Sequence, residues 1–203
     1  MASFDLPAHG QRVGEYGEGI CGWRNEFVGG ADVFACFVTE GKEAITTCIR
    51  EGLARPGRIA VAGTSWGAYM ALRLMAGDVR VAAGAGFAPV TDWRRLREFS
   101  DDRERADVAV PALHRFAGQL AGHPVYLAIG GSDGRVSTEA CVALARELRE
   151  AGGAPDEVCL NPTSDEGHCM GPGGYAAGAS LLLRALGDAP VPAASATAVC
   201  TAR

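Results

Sequence analysis

The chain has 203 residues, 48% hydrophobic and 21% charged, a balance that suits one folded globular domain and excludes a wholly disordered, collagenous or coiled-coil chain. Nineteen Lys and Arg against 24 Asp and Glu leave a net charge of −5 with no basic run, which argues against a nucleic-acid partner. No apolar run approaches the roughly 18 residues that cross a bilayer, and MASFDLPAHG has neither the basic start nor the apolar stretch of a secretion signal; the expectation is a cytoplasmic protein with no membrane partner.

Along the chain, residues 31–54 place Val33, Phe34, Phe37, Val38, Ile45, Ile49 and Leu53 mostly at three- and four-residue steps, which predicts a helix interrupted near Gly41. Arg55-Pro56-Gly57 stops it, and RIAVAG over 58–63 predicts a short strand buried on both faces. Good helix formers fill 66–78 up to Gly77, and 79–89 predicts a second buried strand. Residues 91–118 mix dense charge with Trp93, Leu96 and Phe99, which predicts a surface excursion with a solvated, charged helix face. The clearest strand is PVYLAIGGSD over 124–133, followed by a helix over 137–151, a shorter strand over 157–162 and a closing helix over 173–186. Strands and helices thus alternate, so the expected class is α/β, a mostly parallel sheet flanked by helices within a single domain of residues 1–187. The Pro- and Ala-rich tail 188–203 has no period and predicts disorder.

Gly63-Thr64-Ser65-Trp66-Gly67 is a G-x-S-x-G pattern, weak alone but here lying between a predicted strand and a predicted helix. That context is where a sharp turn lifts a serine hydroxyl above a sheet, and both glycines are expected where a side chain would collide. A serine needs a base and a group that orients the base. Of the four histidines, at 9, 114, 123 and 168, His168 lies in the polar loop after the last strand, at the sheet end where open α/β folds bind ligands. Asp133, just past strand 124–129, is the candidate carboxylate, with Asp165, Glu166 and Asp92 as rivals. Seven scattered cysteines without a Cys-x-x-Cys pair argue against a disulfide framework or a zinc ribbon, so most are expected to be small buried apolar residues. Cys169 beside His168 is a weaker alternative nucleophile.

RIAVAGTSWGAYMALRL, VAAGAGFAPVTD, IGGSDGRVST and DEGHCMGP resemble the prolyl-oligopeptidase-like and dienelactone-hydrolase-like serine hydrolases of the α/β-hydrolase superfamily, over roughly residues 55–185. The resemblance implies the order nucleophile, acid, histidine carried by Ser65, Asp133 and His168, with Arg135-Val136 in the acid loop. Phe4 to Gly10 resembles the family segment after its fourth strand, so His9-Gly10 is not taken as the family's oxyanion loop. About three strands and a helix that precede that segment in the family have no counterpart here. The fold expected is therefore N-terminally shortened, or the sequence continues upstream of Met1. A second copy of the chain covering the shortened sheet edge is one expected partner.

Two classes of function follow. In the first, Ser65 attacks a carbonyl, His168 moves the proton, Asp133 orients the imidazole and the Trp66 N–H supports the oxyanion, with Tyr69 and Trp93 lining an apolar pocket for a small acyl substrate. Such chemistry needs no metal or organic cofactor, and an esterase, a prolyl-oligopeptidase-like peptidase, an acyltransferase or a lactone-opening enzyme would use the same three residues. In the second, the chain is a catalytically silent relative that acts as a binding protein.

Overall fold

The computed structural model describes residues 1–3, 5–152 and 157–187. The predicted tail lies outside the described residues.

Helix α1 (Gly19–Val28) leads into α2 (Val33–Arg50), whose first turn is capped by the Asp32 carboxylate accepting the Ala35 N–H at 3.0 Å. The expected break at Gly41 is absent. Gly41 is buried against α3, and a Cβ there would lie 2.8 Å from Leu74 Cδ1, so the glycine lets two helices approach rather than ending one. Strand β1 (Ile59–Thr64) is followed by α3 (Trp66–Gly77), β2 (Val81–Phe87), the short helices α4 (Ala106–Ala109) and α5 (Ala117–Leu120), β3 (Val125–Gly130), α6 (Thr138–Glu150), β4 (Val158–Thr163) and α7 (Pro172–Ala185).

The four strands form one wholly parallel sheet in the order β1-β2-β3-β4, so each return crossing runs through helical chain. One face packs against α3 and α6, with α2 against α3, around a core that includes Met70, Leu72, Leu127, Leu144 and Leu148. On the other, α7 covers Ala85, Phe87, Tyr126 and Ala128. Gly178 makes that approach possible, since a Cβ there would sit 2.6 Å from Phe87 Cζ.

Strand β1 departs from expectation, because it is not buried on both faces. Among the described residues it pairs with β2 alone, α7 covers the neighbouring strands, and Ala62 and Thr64 are exposed. Beside it an apolar groove of about 540 Å³ runs between the strand and α2, lined by Ala44, Ile45, Cys48, Ile59 and Val61.

Segment 91–118 is likewise not a surface excursion. It winds through 3-10 turns at Trp93–Arg95, Arg97–Asp102 and Leu113–Phe116, and Trp93, Leu96, Phe99, Val108 and Leu113 are all fully buried. Its charges pair over short range, Arg94 with Asp92 and Arg105 with Asp107, while Asp102 reaches across to Arg24. No helix among the described residues is long and apolar enough to cross a membrane.

Candidate active site

Between β1 and α3, Ser65 takes φ 54° and ψ −115°, a conformation that costs a non-glycine residue about 1–3 kcal/mol. The neighbouring strand's end holds it there. The Ser65 N–H donates to the Phe87 carbonyl at 2.7 Å, and the Ser65 carbonyl accepts the Val90 N–H at 3.2 Å. Of the two flanking glycines, only Gly63 is sterically required, because a Cβ there would meet the Gly67 carbonyl carbon and oxygen at 2.2 Å. At Gly67 a Cβ would meet nothing nearer than Leu6 Cδ1 at 3.8 Å, so the expected collision at that position is corrected.

Asp133 sits in a stitched turn after β3. The Thr138 hydroxyl donates to the Gly130 carbonyl at 2.6 Å and accepts the Asp133 N–H at 3.0 Å. Asp133 Oδ1 accepts the N–H groups of Arg135 at 2.9 Å and Val136 at 3.1 Å, which leaves Oδ2 facing the opposite way. The guanidinium of Arg135 makes a bidentate pair with Glu98, 2.8 Å to each oxygen.

His168 lies in the loop between β4 and α7. The Asp165 carboxylate spans this loop, accepting the Thr163 hydroxyl at 2.7 Å and the Gly171 N–H at 2.9 Å. The Gly171 amide first, and the Thr163 hydroxyl second, hold the Asp165 carboxyl below the usual carboxylate range. The loop crosses the end of β3 closely enough that a Cβ at Gly130 would lie 2.8 Å from the Asp165 carbonyl oxygen and 3.0 Å from that of Gly167.

These three loops bring three side chains into one line. His168 Nδ1 is 2.8 Å from Asp133 Oδ2, and His168 Nε2 is 2.8 Å from Ser65 Oγ. With Nδ1–H donating to the Asp133 carboxylate, the lone pair of Nε2 faces the serine hydroxyl. The Asp133 side chain is fully buried and that of His168 is 29% exposed, so the line runs from the interior to the surface.

The rival carboxylates are engaged elsewhere. Asp92 accepts the Arg94 backbone N–H and guanidinium, Asp165 spans its own loop, and Glu166 is exposed. Cys169 is exposed rather than packed, and both ring nitrogens of His168 are already bonded, which leaves none to serve it as base. Of the described cysteines only Cys141 is buried; Cys21 and Cys36 are exposed and Cys48 and Cys159 half-buried, contrary to the expectation that most would be interior.

The Trp66 N–H opens α3, where the first amides of a helix have no intrahelical acceptor, and it directly follows Ser65. Tyr69 and Trp93 do not line a pocket. Both are fully buried in a cluster of aromatic rings with Trp23, Phe34, Trp66 and Phe99, packed behind the serine turn. Burial raises the Tyr69 phenol above its ordinary range, and its hydroxyl donates to the Pro111 carbonyl at 2.7 Å. The His9 ring packs edge-on against the Trp66 indole at 4.8 Å, with Nδ1 2.9 Å from the Pro7 carbonyl oxygen, a contact that sequence distance concealed. Sequence reasoning also missed Glu98, hidden in a charge run, and the spanning role of Asp165. Among the described residues no group of three His, Cys, Asp or Glu is arranged to hold a metal ion.

The model of the prolyl oligopeptidase family matches residues 38–183. The chain belongs to the prolyl oligopeptidase family. A search of curated proteins finds no match. Among solved structures, this prolyl oligopeptidase family chain is similar to a Mycobacterium tuberculosis puromycin-hydrolyzing peptidase, with TM-score 0.65 and 20% identity over 76% of this chain and 26% of that one. It is similar to a Porphyromonas gingivalis dipeptidyl peptidase 4, with TM-score 0.62 and 18% identity over 75% of this chain and 23% of that one. It also resembles a cold-adapted esterase from an Arctic intertidal metagenomic library, with TM-score 0.57 and 20% identity over 83% of this chain and 64% of that one. The fold is that of the α/β-hydrolases, and the chain spans about a quarter of the length of the two peptidases.

Proposed function

We propose that the chain is a serine hydrolase that cleaves a carboxylic ester, thioester or lactone through an acyl-enzyme, with Ser65 as nucleophile, His168 as base and Asp133 as the orienting acid. The observation that carries the reading is the continuous hydrogen-bonded line from Asp133 Oδ2 through both imidazole nitrogens to Ser65 Oγ. As Ser65 Oγ bonds to the substrate carbonyl carbon, its proton passes to Nε2, and the imidazolium is stabilised by the buried carboxylate. Negative charge collects on the carbonyl oxygen, where the Trp66 N–H donates. Collapse breaks the bond to the leaving oxygen, or sulfur in a thioester, which takes the proton back from Nε2. Water then attacks the acyl-enzyme and loses a proton to Nε2, and Nε2–H passes that proton to Ser65 Oγ as the carboxylic acid leaves.

Esters are favoured over amides on chemical grounds. An alkoxide leaves more readily than an amine. A second reading, peptide or amide hydrolysis, draws support from the family match and from the two peptidases among the similar structures. Steady-state turnover of p-nitrophenyl acetate and of aminoacyl p-nitroanilides by wild type and Ser65→Ala tests both. Ester turnover lost in the variant supports the proposal; anilide turnover of similar efficiency moves the substrate class to amides. Turnover equal in wild type and variant removes Ser65 from the chemistry and leaves the silent, binding form.

A further inference from the structure

We infer that Glu98 is a positioning residue for Asp133, acting through the Arg135 guanidinium on the turn that holds the carboxylate. The inference rests on the Ser65-His168-Asp133 reading. Arg135 is held at both ends. Its backbone N–H is one of the two donors to Asp133 Oδ1, at 2.9 Å, while its guanidinium is gripped by Glu98 at 2.8 Å to each oxygen. A planar fork held by two parallel bonds has a fixed direction as well as a fixed distance, so the grip restrains the residue from its side-chain end.

The other end of the grip is itself anchored. Glu98 lies within a 3-10 segment between Leu96 and Phe99, both fully buried, and Phe99 belongs to the aromatic cluster behind the serine turn. The Glu98 side chain is only 10% exposed and that of Arg135 26%, so the pair is sheltered. Burial is the largest single influence and pushes the Glu98 carboxyl up, but the Arg135 hydrogen bonds and charge, its own backbone N–H and Arg97 together leave the group below its ordinary value. Arg97 also reaches Glu98 Oε1, at 3.3 Å, yet its side chain is 86% exposed, where such pairs contribute little.

Consequently the aromatic cluster and the acid loop are joined by one ion pair. Without it, the Arg135 N–H no longer has a fixed direction, Asp133 can swing, and the imidazole loses the orientation that aims Nε2 at Ser65. The pair thus gives segment 91–118 a task at the site that its sequence did not announce.

A double-mutant cycle tests this with Glu98→Gln, Arg135→Gln and the double variant of the full chain, and with Arg97→Gln and Glu98→Asp as controls. The readouts are kcat and KM on p-nitrophenyl acetate, the thermal midpoint, and the downfield proton resonance of the His168 Nδ1–H. We expect each single variant to lower kcat about tenfold with KM within about twofold, and the double to fall no further than the worse single, because both remove one coupled pair. The resonance should broaden or shift upfield in Glu98→Gln, Glu98→Asp should recover part of kcat, and Arg97→Gln should match wild type. Wild-type kcat in Glu98→Gln, losses that multiply in the double variant, a change confined to KM, or an unchanged resonance overturns the inference. A wild type whose turnover does not depend on Ser65 sinks the triad reading instead, a result separable from these.

Discussion

Replacing Gly63 by Ala perturbs the serine turn in a way the structure makes quantitative. The new Cβ would lie 2.2 Å from the Gly67 carbonyl carbon and oxygen and 2.6 Å from the Ala68 N, all backbone atoms that no rotamer change can remove. Ordinary contact begins at 3.4 Å, so the start of α3 and the end of β1 must separate by roughly 1 Å. Overpacking of this kind costs about 1–3 kcal/mol, and in a chain of this length each kcal/mol lowers the midpoint by about 2–4 °C, which puts the loss at about 2–12 °C. Ser65 rides on the moved segment, and a misplacement near 1 Å can cost about 10²-fold in rate. Gly67→Ala is the matched control, since its Cβ meets only Leu6 Cδ1 at 3.8 Å and lies inside α3, where Ala is favoured by about 0.5–1 kcal/mol. Circular dichroism melts and ester turnover of both variants read the contrast. Equal behaviour of the two, or a wild-type melt in Gly63→Ala, refutes the steric argument.

Other consequences are as direct. Gly130→Ala should push the histidine loop off the end of β3, lowering ester turnover by about 10-fold or more while the midpoint falls by only a few degrees; turnover at the wild-type level contradicts the close approach at 2.8 Å. Glu98, whose carboxyl lies below its ordinary value of about 4.3, stabilises the fold fully above that value and loses the contribution as pH falls through the lower, folded value. The midpoint gap between wild type and Glu98→Gln should therefore be constant near neutrality and close below about pH 4, and a gap that widens on acidification reverses the sign and the argument. Cys141 is buried and its thiol is pushed up to about 12 by burial and then by the Asp133 charge, so native protein treated with iodoacetamide should be modified at Cys21, Cys36 and Cys169 but not at Cys141. Peptide mapping by mass spectrometry decides it, with native alkylation of Cys141 as the contrary result.

Local pattern carried much of the fold. A buried strand announces itself by a short apolar run between turn residues, which placed β2 and β3, helix periodicity placed α3, α6 and α7, and the glycine-flanked serine between strand and helix located the turn. That Asp133 and His168 lie beside Ser65 was legible for the same reason, since strand ends in a parallel sheet converge on one side. What failed depends on tertiary neighbours. Gly41 looked like a helix break because the Leu74 side chain it accommodates is 33 positions away, and β1 looked doubly buried because composition does not say how many strands flank it. Trp93, Leu96 and Phe99 recur at three-residue steps, the period of the 3-10 turns they form, but the charged, mutually paired side chains between them made the segment read as solvated. Tyr69 and Trp93 share the composition of a pocket wall and of a core, and only their complete burial separates the two.

The central claim is that His168 makes the Ser65 hydroxyl a nucleophile in the folded chain. Intact-protein and peptide mass spectrometry after treatment with a fluorophosphonate measures it most directly. The account predicts a single adduct on Ser65 in wild type, and its disappearance in a His168→Ala variant that keeps the wild-type circular dichroism spectrum. Equal labelling of both proteins, or an adduct at any other residue, contradicts it.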